Sequence, residues 1–354
     1  MPKLNLTQLR LQNQHLAQPP FTKPAEIVKW LGAVQAQDYN GAKWALGQRL
    51  KNGTDKIIEQ AFNDGDILRT HVMRPTWHFV AREDIRWLLE LTSARVQAIA
   101  ATRHRQLELD DKVFSKCERT LNKVLAGGKQ VARIELGNEL KNAGIKTDEQ
   151  RFIHIMMEME LRQIICSGGV QGKHLTYALF DDRVPKAKTM ARDESLAMLA
   201  DRYFTAHGPA TLQDFVWWSG LTVTDCRAGL EMVKNKLVNY EGYWFIEPEN
   251  IAAKLTRAYL LPNYDEYIVS YKDRSATIHE KNINKADLRG TIFNHTIIIN
   301  GKIEGIWKRE FKKEAVVIDI IPFKPFSQAA NSAIQSATKR YARFLGVKEA
   351  LVKM

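Results

Sequence analysis

Apolar residues recur at helical spacing over most of the chain and change to β-type runs towards its C-terminus. In the N-terminal part the pattern predicts helices over 24–34, 42–50, 57–62 and 83–99, with a hairpin of aromatic and β-branched residues over 67–80. After about Leu260 it predicts strands over 267–271, 296–299, 302–307 and 315–321, then a helix over 327–344. Asn300-Gly301 is a strong hairpin signal between two of these strands. The C-terminal part is therefore predicted to be a small antiparallel barrel or sheet followed by a helix.

Two segments in the middle of the chain repeat one order of elements, namely a helix, a glycine turn, a capped second helix and a hairpin. In the first segment Thr147 is the predicted N-cap of the second helix. In the second segment Thr211 caps the first helix, Gly220 lies in the turn, and Thr222 or Thr224 caps the second helix. This order is the winged helix-turn-helix layout. The N-terminal hairpin is interpreted as a further wing.

The predicted fold is α+β, with tandem winged helix-turn-helix motifs and a C-terminal β-barrel. A chain of 354 residues is long enough for several small domains. The expected units are an N-terminal winged-helix region over 1–115, a second winged helix over 116–190, a third over 191–255, and a C-terminal β-barrel with its terminal helix over 256–354.

Composition narrows the class of protein and its partners. The formal charge of +12 attracts polyanions, for which nucleic acid is the usual partner, although some soluble enzymes are simply basic. No apolar run is long enough to span a bilayer, and the N-terminus has no continuous apolar segment of the secretory type. Cys117, Cys166 and Cys226 are far apart, which argues against a zinc site and a disulfide scaffold. We therefore expect a cytoplasmic protein with no metal and no cofactor.

The segment Val34-Gln35-Ala36-Gln37-Asp38 is the most unusual polar feature of the chain, because it lies between two apolar helical runs. Residues two apart point to opposite sides of an α-helix but to the same side of an extended strand. Gln35 and Gln37 can therefore serve one site only if the backbone is extended there. The alternative is that both glutamines are solvated or capping residues at a helix end.

Several other residues allow both a functional and a structural interpretation. Arg69 and Arg74 could bind phosphate or be solvated charges of the wing. His71 and His78 should lie on opposite faces of the hairpin, where one could approach DNA or each could be structural. Lys308 and Arg309 begin a basic run that suits electrostatic contact with DNA, together with Lys312 and Lys313. Trp217 and Trp218 are expected to serve packing. Asp265 and Glu266 resemble paired acids, but alternation in a strand would turn them to opposite sides, so both are interpreted as structural.

A resemblance to a known family joins these segments. VQAQD, RTHVMRPTWHFV, RYFTAHGPATLQDFVWWSGL, LLPNYDEYIVSYKDR and NGKIEGIWKR, in this order, resemble the winged-helix DNA glycosylases of the AlkZ and YcaQ type. The resemblance spans nearly the whole chain. It implies tandem winged helices in a C-shaped DNA clamp with a C-terminal β-barrel. It also implies a monofunctional glycosylase without a cofactor that excises bulky N-alkylated purines such as N7-alkylguanine and unhooks interstrand crosslinks.

The resemblance also implies the catalytic residues. The family motif is QxQ in the AlkZ branch and QxD in the YcaQ branch, and Gln35 and Gln37 match the first form. N7-alkylation makes the purine cationic and a good leaving group, so the enzyme mainly has to order a water molecule beside the sugar. A glutamine carbonyl can accept a hydrogen bond from that water. Asp38 lies one residue outside the QxD register, and it is either a rival general base or a capping residue.

The resemblance leads to specific expectations about the partner and the position of the site. The expected partner is double-stranded DNA with alkylated or crosslinked bases, bound by a monomer on a concave, positively charged face where both glutamines are open to solvent. The hairpin over 69–80 is expected to probe the duplex. One alternative is a non-enzymatic winged-helix transcriptional regulator, which usually dimerises on a palindrome. Another is a scaffold whose winged helices bind protein.

Overall fold

The computed structural model describes residues 4–148, 150–247, 257–286 and 294–353, which form a mixed α+β fold. Its α-helices are α1 (Leu6–Asn13), α2 (Pro24–Leu31), α3 (Tyr39–Gly47), α4 (Asp55–Asn63), α5 (Ile85–Gln106), α6 (Asp111–Leu125), α7 (Arg133–Asn142), α8 (Arg151–Leu161), α9 (Phe180–Arg183), α10 (Arg192–Ala206), α11 (Leu212–Ser219), α12 (Val223–Val233), α13 (Glu266–Val269) and α14 (Gln328–Leu345).

The strands follow the same order along the chain. They are β1 (Val34–Gln35), β2 (Ile67–Val72), β3 (Arg74–Ala81), β4 (Val131–Ala132), β5 (Ile165–Gln171), β6 (His174–Leu179), β7 (Val238–Tyr240), β8 (Tyr243–Phe245), β9 (Ala258–Leu261), β10 (Thr296–Ile299), β11 (Lys302–Phe311), β12 (Ala315–Pro322) and β13 (Glu349–Lys353). Three of the sheets are small, with strand orders β1-β3-β2, β4-β6-β5 and β7-β8. The fourth sheet has the order β13-β12-β11-β10-β9.

The C-terminal sheet is open rather than closed. Among the described residues β9 and β13 lie at its two edges, and α14 packs against both strands. Its strand pairs are antiparallel except β12 with β13. The predicted closed β-barrel is therefore not confirmed, although the predicted strands over 296–321 and the terminal helix are present.

Several predictions that rest on local chemistry are confirmed. Pro24 is the first residue of α2, where its missing N–H costs nothing. The Thr211 and Thr222 side chains cap α11 and α12 by accepting the backbone N–H groups of Asp214 and Asp225. The Asn300-Gly301 turn joins β10 to β11 with both residues at positive φ.

Other local predictions are wrong. Thr147 does not cap α8, which begins at Arg151 after Gln150. The run over 267–271 was predicted as a strand because it is β-branched and aromatic, but most of it forms the short helix α13. Asp265 starts this helix by accepting a hydrogen bond from the backbone N–H of Tyr267. All four residues of α13 are buried, so the segment lacks the alternation of buried and exposed positions by which a sequence indicates a helix.

The N-terminal helices share a core with the C-terminal sheet. Trp44 of α3 packs against Tyr341 and Phe344 of α14, with ring centroids 4.8 Å and 4.9 Å away. The Trp44 indole donates to the carbonyl oxygen of Leu260 in β9. A second core joins β2 and β3 to α5, α10, α11 and α12. Both cores contain residues from more than one predicted unit. The domain boundaries at 115/116 and 190/191 stay predictions, and the one at 255/256 lies outside the described residues.

Candidate active site

The segment with the two glutamines is not helical, and its first half is extended. Val34 and Gln35 form the edge strand β1, in which Gln35 lies opposite His78 of β3. The pairing continues through Ala36, whose N–H donates to the carbonyl oxygen of Trp77 at 2.7 Å. β1 ends at Gln35, Ala36 is fully buried, and Gln37 lies in the bend that follows, where its side chain contacts the same strand β3.

The two glutamines differ in exposure. Gln35 is only 9% exposed, whereas Gln37 is exposed. The Gln37 Oε1 atom lies 3.5 Å from the backbone N of Trp77, which is at the limit of a hydrogen bond. The expectation that both glutamines are open to solvent is therefore wrong for Gln35. The neighbouring chain covers it, so Gln37 is the member of the pair that water reaches directly.

Arg74 and His78 surround the Gln35 side chain. Arg74 Nη2 donates to Gln35 Oε1 at 3.1 Å and lies 3.4 Å from His78 Nε2. An arginine has only donors, so His78 Nε2 must be the acceptor and His78 Nδ1 carries the proton, which it donates to the carbonyl oxygen of Thr76 at 2.9 Å. Burial, with Arg74 nearby, lowers the pKa of His78 well below its usual value, which agrees with a neutral ring.

Glu266, which the sequence alone indicates to be structural, lies behind Gln35. Its Oε1 accepts the Gln35 backbone N–H at 2.7 Å, and its Oε2 accepts the Trp218 indole N–H at 2.9 Å and the Ser270 hydroxyl at 2.6 Å. The carboxyl group has no exposed surface, and burial raises its pKa, while these hydrogen bonds and Arg74 oppose the shift. A polar residue within the apolar segment DEYIVSY was the available signal for this contact.

Asp38 and Arg309 contact each other and the surrounding fold. Asp38 Oδ1 caps α3 by accepting the Gly41 backbone N–H at 3.0 Å. Asp38 Oδ2 lies 3.7 Å from Arg309 Nη2, and Arg309 Nη1 donates to the Tyr341 hydroxyl at 2.8 Å. The capping interpretation of Asp38 agrees with this geometry. Arg309 is mostly buried, so its guanidinium serves this internal contact in the structure.

Comparison with known proteins identifies the family. The family described as DNA glycosylase AlkZ-like matches residues 28–344. The chain belongs to this family. A curated relative, an interstrand DNA cross-link repair glycosylase from Streptomyces sahachiroi, is 21% identical over 98% of this chain and 97% of its own length. The solved structure of the Streptomyces sahachiroi DNA glycosylase AlkZ covers 98% of this chain and 97% of its own, with a TM-score of 0.79 at 19% identity. The structural likeness shows that the two proteins share a fold.

The predicted DNA-binding residues of this AlkZ-like chain lie in different environments. Arg69 donates through Nε to the Ala36 carbonyl oxygen at 2.9 Å and stacks over the Trp77 ring. Burial lowers the pKa of the Arg69 guanidinium. His71 is 2% exposed, and its Nδ1 lies 2.6 Å from Glu160 Oε2. Arg69 thus braces the QxQ segment from within the protein, and His71 has almost no surface for a contact with DNA.

The two hairpin histidines point to opposite faces, as predicted. His71 is paired with Trp77, whereas His78 is paired with Thr70 and Gln35. His78 has no exposed surface either. The buried positions support internal roles for both rings, and the interpretation of either ring as a DNA contact is corrected for this structure. Each ring is instead covered by protein on its own face of the sheet.

The hairpin of β2 and β3 does not project as a probe. Its turn residue Met73 is fully buried, and the Met73 N–H donates to the Thr92 hydroxyl of α5. A Cβ atom at Gly220 would lie 2.4 Å from the Met73 carbonyl oxygen, so the glycine lets α11 end directly against this turn. The prediction that this hairpin probes the duplex is therefore corrected. Its accessible part is the start of β3, around Pro75.

The exposed basic run lies on the hairpin that β11 and β12 form. Lys308 is exposed on β11, and Lys312 and Lys313 are exposed in the turn between β11 and β12. Phe311 beside them is 58% exposed. The hairpin therefore presents an exposed aromatic ring beside exposed lysines.

Metal sites, membrane spans and reactive thiols are further features to consider in the described ranges. Within the described part of the chain, no group of three or more His, Cys, Asp or Glu side chains is arranged to hold a metal ion. Within the same ranges, no helix has the length and apolar character needed to cross a membrane. The described cysteines, Cys117, Cys166 and Cys226, are buried free thiols, and burial raises the pKa of each.

Proposed function

We propose that this protein is a monofunctional DNA glycosylase that hydrolyses the N-glycosidic bond of bulky or cationic N-alkylated purines, with N7-alkylguanine as the first substrate class. Membership of the AlkZ-like DNA glycosylase family supports this function. The observation that carries it is that Gln35 ends the edge strand β1 and Gln37 follows two residues later, with both side chains against β3. The name of the Streptomyces relative supports extending the substrates to interstrand crosslinks.

The chemistry needs no strong base. In an N7-alkylated purine the bond between the base and C1′ breaks with both electrons passing to the cationic base, which leaves neutral. Water adds to the oxocarbenium carbon, and its proton passes to solvent, which gives an abasic site and the free base. Gln35 and Gln37 position this water, and the carbonyl dipole of Gln37 stabilises the positive sugar. Because glutamine is a poor proton acceptor, the site favours leaving groups that already carry charge.

The duplex is held by surfaces around this strand. Tandem winged helices in a C-shaped arrangement grip the duplex through the net positive charge of the chain. Lys308, Lys312 and Lys313 contact phosphates, and Phe311 contacts the duplex beside them. A bulky or crosslinked base cannot rotate fully into a closed pocket, so the damaged nucleotide meets Gln37 at the surface. Gln37 is the more exposed glutamine, which supports this arrangement.

The experiment is incubation of the purified protein with three duplexes that differ in one base, followed by cleavage of abasic sites with alkali. The bases are N7-methylguanine, uracil and hypoxanthine. We expect strand cleavage with N7-methylguanine and little with the two neutral bases. Equal single-turnover rates on uracil would contradict the substrate class. Binding of undamaged DNA as a dimer, without excision of any base, would instead support a transcriptional regulator.

A further inference from the structure

In an edge strand, the backbone N–H groups that point away from the sheet normally bond to water. Gln35 has such an N–H group. Ala36 donates its N–H to Trp77 of β3, so in an antiparallel pair the Gln35 N–H points away from β3. Glu266 Oε1 accepts this N–H at 2.7 Å. A residue 231 positions away therefore completes the hydrogen bonding of the strand that carries the motif.

A carboxylate is the group that this position requires. Three donors converge on Glu266, namely the Gln35 N–H, the Trp218 indole and the Ser270 hydroxyl. An ionised carboxylate has two oxygens and only accepts, whereas an amide has one accepting oxygen and two donors of its own. Burying a charge is costly, and Glu266 has no exposed surface. A buried carboxylate, whose desolvation costs free energy, therefore lies directly behind Gln35.

The Gln35 side chain is held by Arg74, whose positive charge is opposite to that of the Glu266 carboxylate behind it. Arg74 Nη2 donates to Gln35 Oε1 at 3.1 Å, and the neutral His78 ring accepts from the same nitrogen atom. Because the guanidinium has only donors, the Gln35 atom that faces it must be the oxygen. The orientation of the Gln35 amide is therefore fixed by chemistry.

We propose that Glu266 and Arg74 form a clamp that positions Gln35 for base excision, with Glu266 holding its backbone and Arg74 its side-chain carbonyl. We call these two residues the Gln35 clamp. The inference rests on the proposed function. It assigns Arg74 to positioning rather than to phosphate binding, and it assigns Glu266 to the rear of the active site rather than to packing alone.

The Gln35 clamp implies different roles for the two glutamines. Arg74 occupies one acceptor position of Gln35 Oε1 and polarises the amide, which makes the Gln35 NH2 group a better donor. The exposed Gln37 has its Oε1 atom 3.5 Å from the neutral backbone N–H of Trp77, a weak contact that leaves this carbonyl able to accept from water. Gln35 therefore donates a hydrogen bond to the oxygen of the attacking water, and the Gln37 carbonyl accepts a hydrogen bond from it, while the proton is finally lost to solvent.

The clamp is tested by a double-mutant cycle between Gln35→Ala and Arg74→Met. The readouts are the single-turnover rate of N7-methylguanine excision at saturating enzyme, and the dissociation constant for undamaged duplex. Arg74→Met should lower the rate by about tenfold to a hundredfold, as expected for a mispositioned catalytic group, with the dissociation constant changed by less than about threefold. In the Gln35→Ala background Arg74→Met should have no further effect on the rate. Arg74→Lys, which keeps a donor, should recover part of the lost rate.

Arg82→Met is the matched control, because Arg82 follows β3 and is about half exposed in its pair with Asp66. It should leave the excision rate unchanged. Multiplicative losses in the Gln35 and Arg74 cycle would overturn the clamp, because they would show that Arg74 acts independently of Gln35. A loss confined to the dissociation constant would also overturn it and would make Arg74 a phosphate contact.

Hydrogen exchange of the Gln35 backbone amide supplies a readout that needs no activity. The clamp predicts a protected amide in the wild-type protein and faster exchange in Glu266→Gln, with the amides of β2 unchanged as an internal control for folding. Free exchange in the wild-type protein would overturn the clamp even if excision were normal. Absence of excision in a wild-type protein with a protected Gln35 amide would refute the proposed function and would still support the hydrogen bond of the clamp.

Discussion

The ion pair between Arg49 and Asp265 should be one of the most costly contacts to break. Arg49 Nη1 and Nη2 bond to the two Asp265 oxygens at 2.9 Å and 2.7 Å, and neither side chain has exposed surface. Asp265 also starts α13, the helix that carries Glu266. Replacement by asparagine keeps the size of the side chain, but it removes the charge and turns an amide donor towards the guanidinium.

The expected loss follows from this geometry. Removing one partner of a buried pair costs about 3–5 kcal/mol, because the other charge stays buried without compensation. Shared hydrophobic cores join the N-terminal helices to the C-terminal sheet, so the chain is expected to unfold as one unit. With an unfolding entropy of about 2.1 cal/mol/K per residue, this loss in Asp265→Asn corresponds to a Tm lower by roughly 4–7 °C.

Calorimetry or thermal circular dichroism measures this change, with Glu83→Gln as the matched control. Glu83 pairs with Lys29 at the surface, where the two side chains are 61% and 51% exposed. An exposed pair contributes at most about 1 kcal/mol, so the control should lower the Tm by little more than 1 °C. Equal Tm values for the two variants would refute the reasoning, because they would show that Arg49 loses no buried partner.

Three further predictions address the site. Asp38→Asn keeps an oxygen for capping α3, so N7-methylguanine excision should stay within about threefold of wild type; loss of excision at unchanged DNA affinity would make Asp38 the general base. Lys308→Ala with Lys313→Ala should reduce the slope of log affinity against log salt by about 0.9 per lost phosphate contact, and an unchanged slope would exclude these lysines from the interface. Burial raises the pKa of Glu266, so protonation begins at a higher pH than for an ordinary glutamate. The excision rate should fall as the pH drops through that pKa, and a pH profile with the same acid limb in Glu266→Gln would assign the limb to another group, such as His78.

Sequence alone predicts the elements whose signals are local. The Thr211 and Thr222 caps and the Asn300-Gly301 turn each depend on neighbouring residues, and each is present in the structure. The QxQ segment leaves helical geometry, with Val34 and Gln35 in a strand. The two faces of the β2–β3 hairpin follow from strand alternation, and the opposite positions of His71 and His78 agree with it.

The rest depends on contacts between distant segments. The run over 267–271 has strand-forming residues, but burial on all sides and the Asp265 cap favour a helical turn. The β2–β3 turn looks like an exposed wing in sequence, whereas Gly220 of α11 packs directly against Met73. Glu266 and Gln35 are 231 residues apart, so only the fold brings the carboxylate to the edge strand.

Replacement of both glutamines by alanine tests the central claim most directly. The measurement is the single-turnover excision of N7-methylguanine from duplex DNA by Gln35→Ala, Gln37→Ala and the double variant, each with its affinity for undamaged duplex. Each single variant should lose on the order of ten- to a thousandfold in rate, the range for a lost positioning or electrostatic group. The double variant should show no detectable excision and nearly unchanged affinity, because phosphate contacts dominate binding. Full excision by the double variant would contradict the account and remove Gln35 and Gln37 from the mechanism.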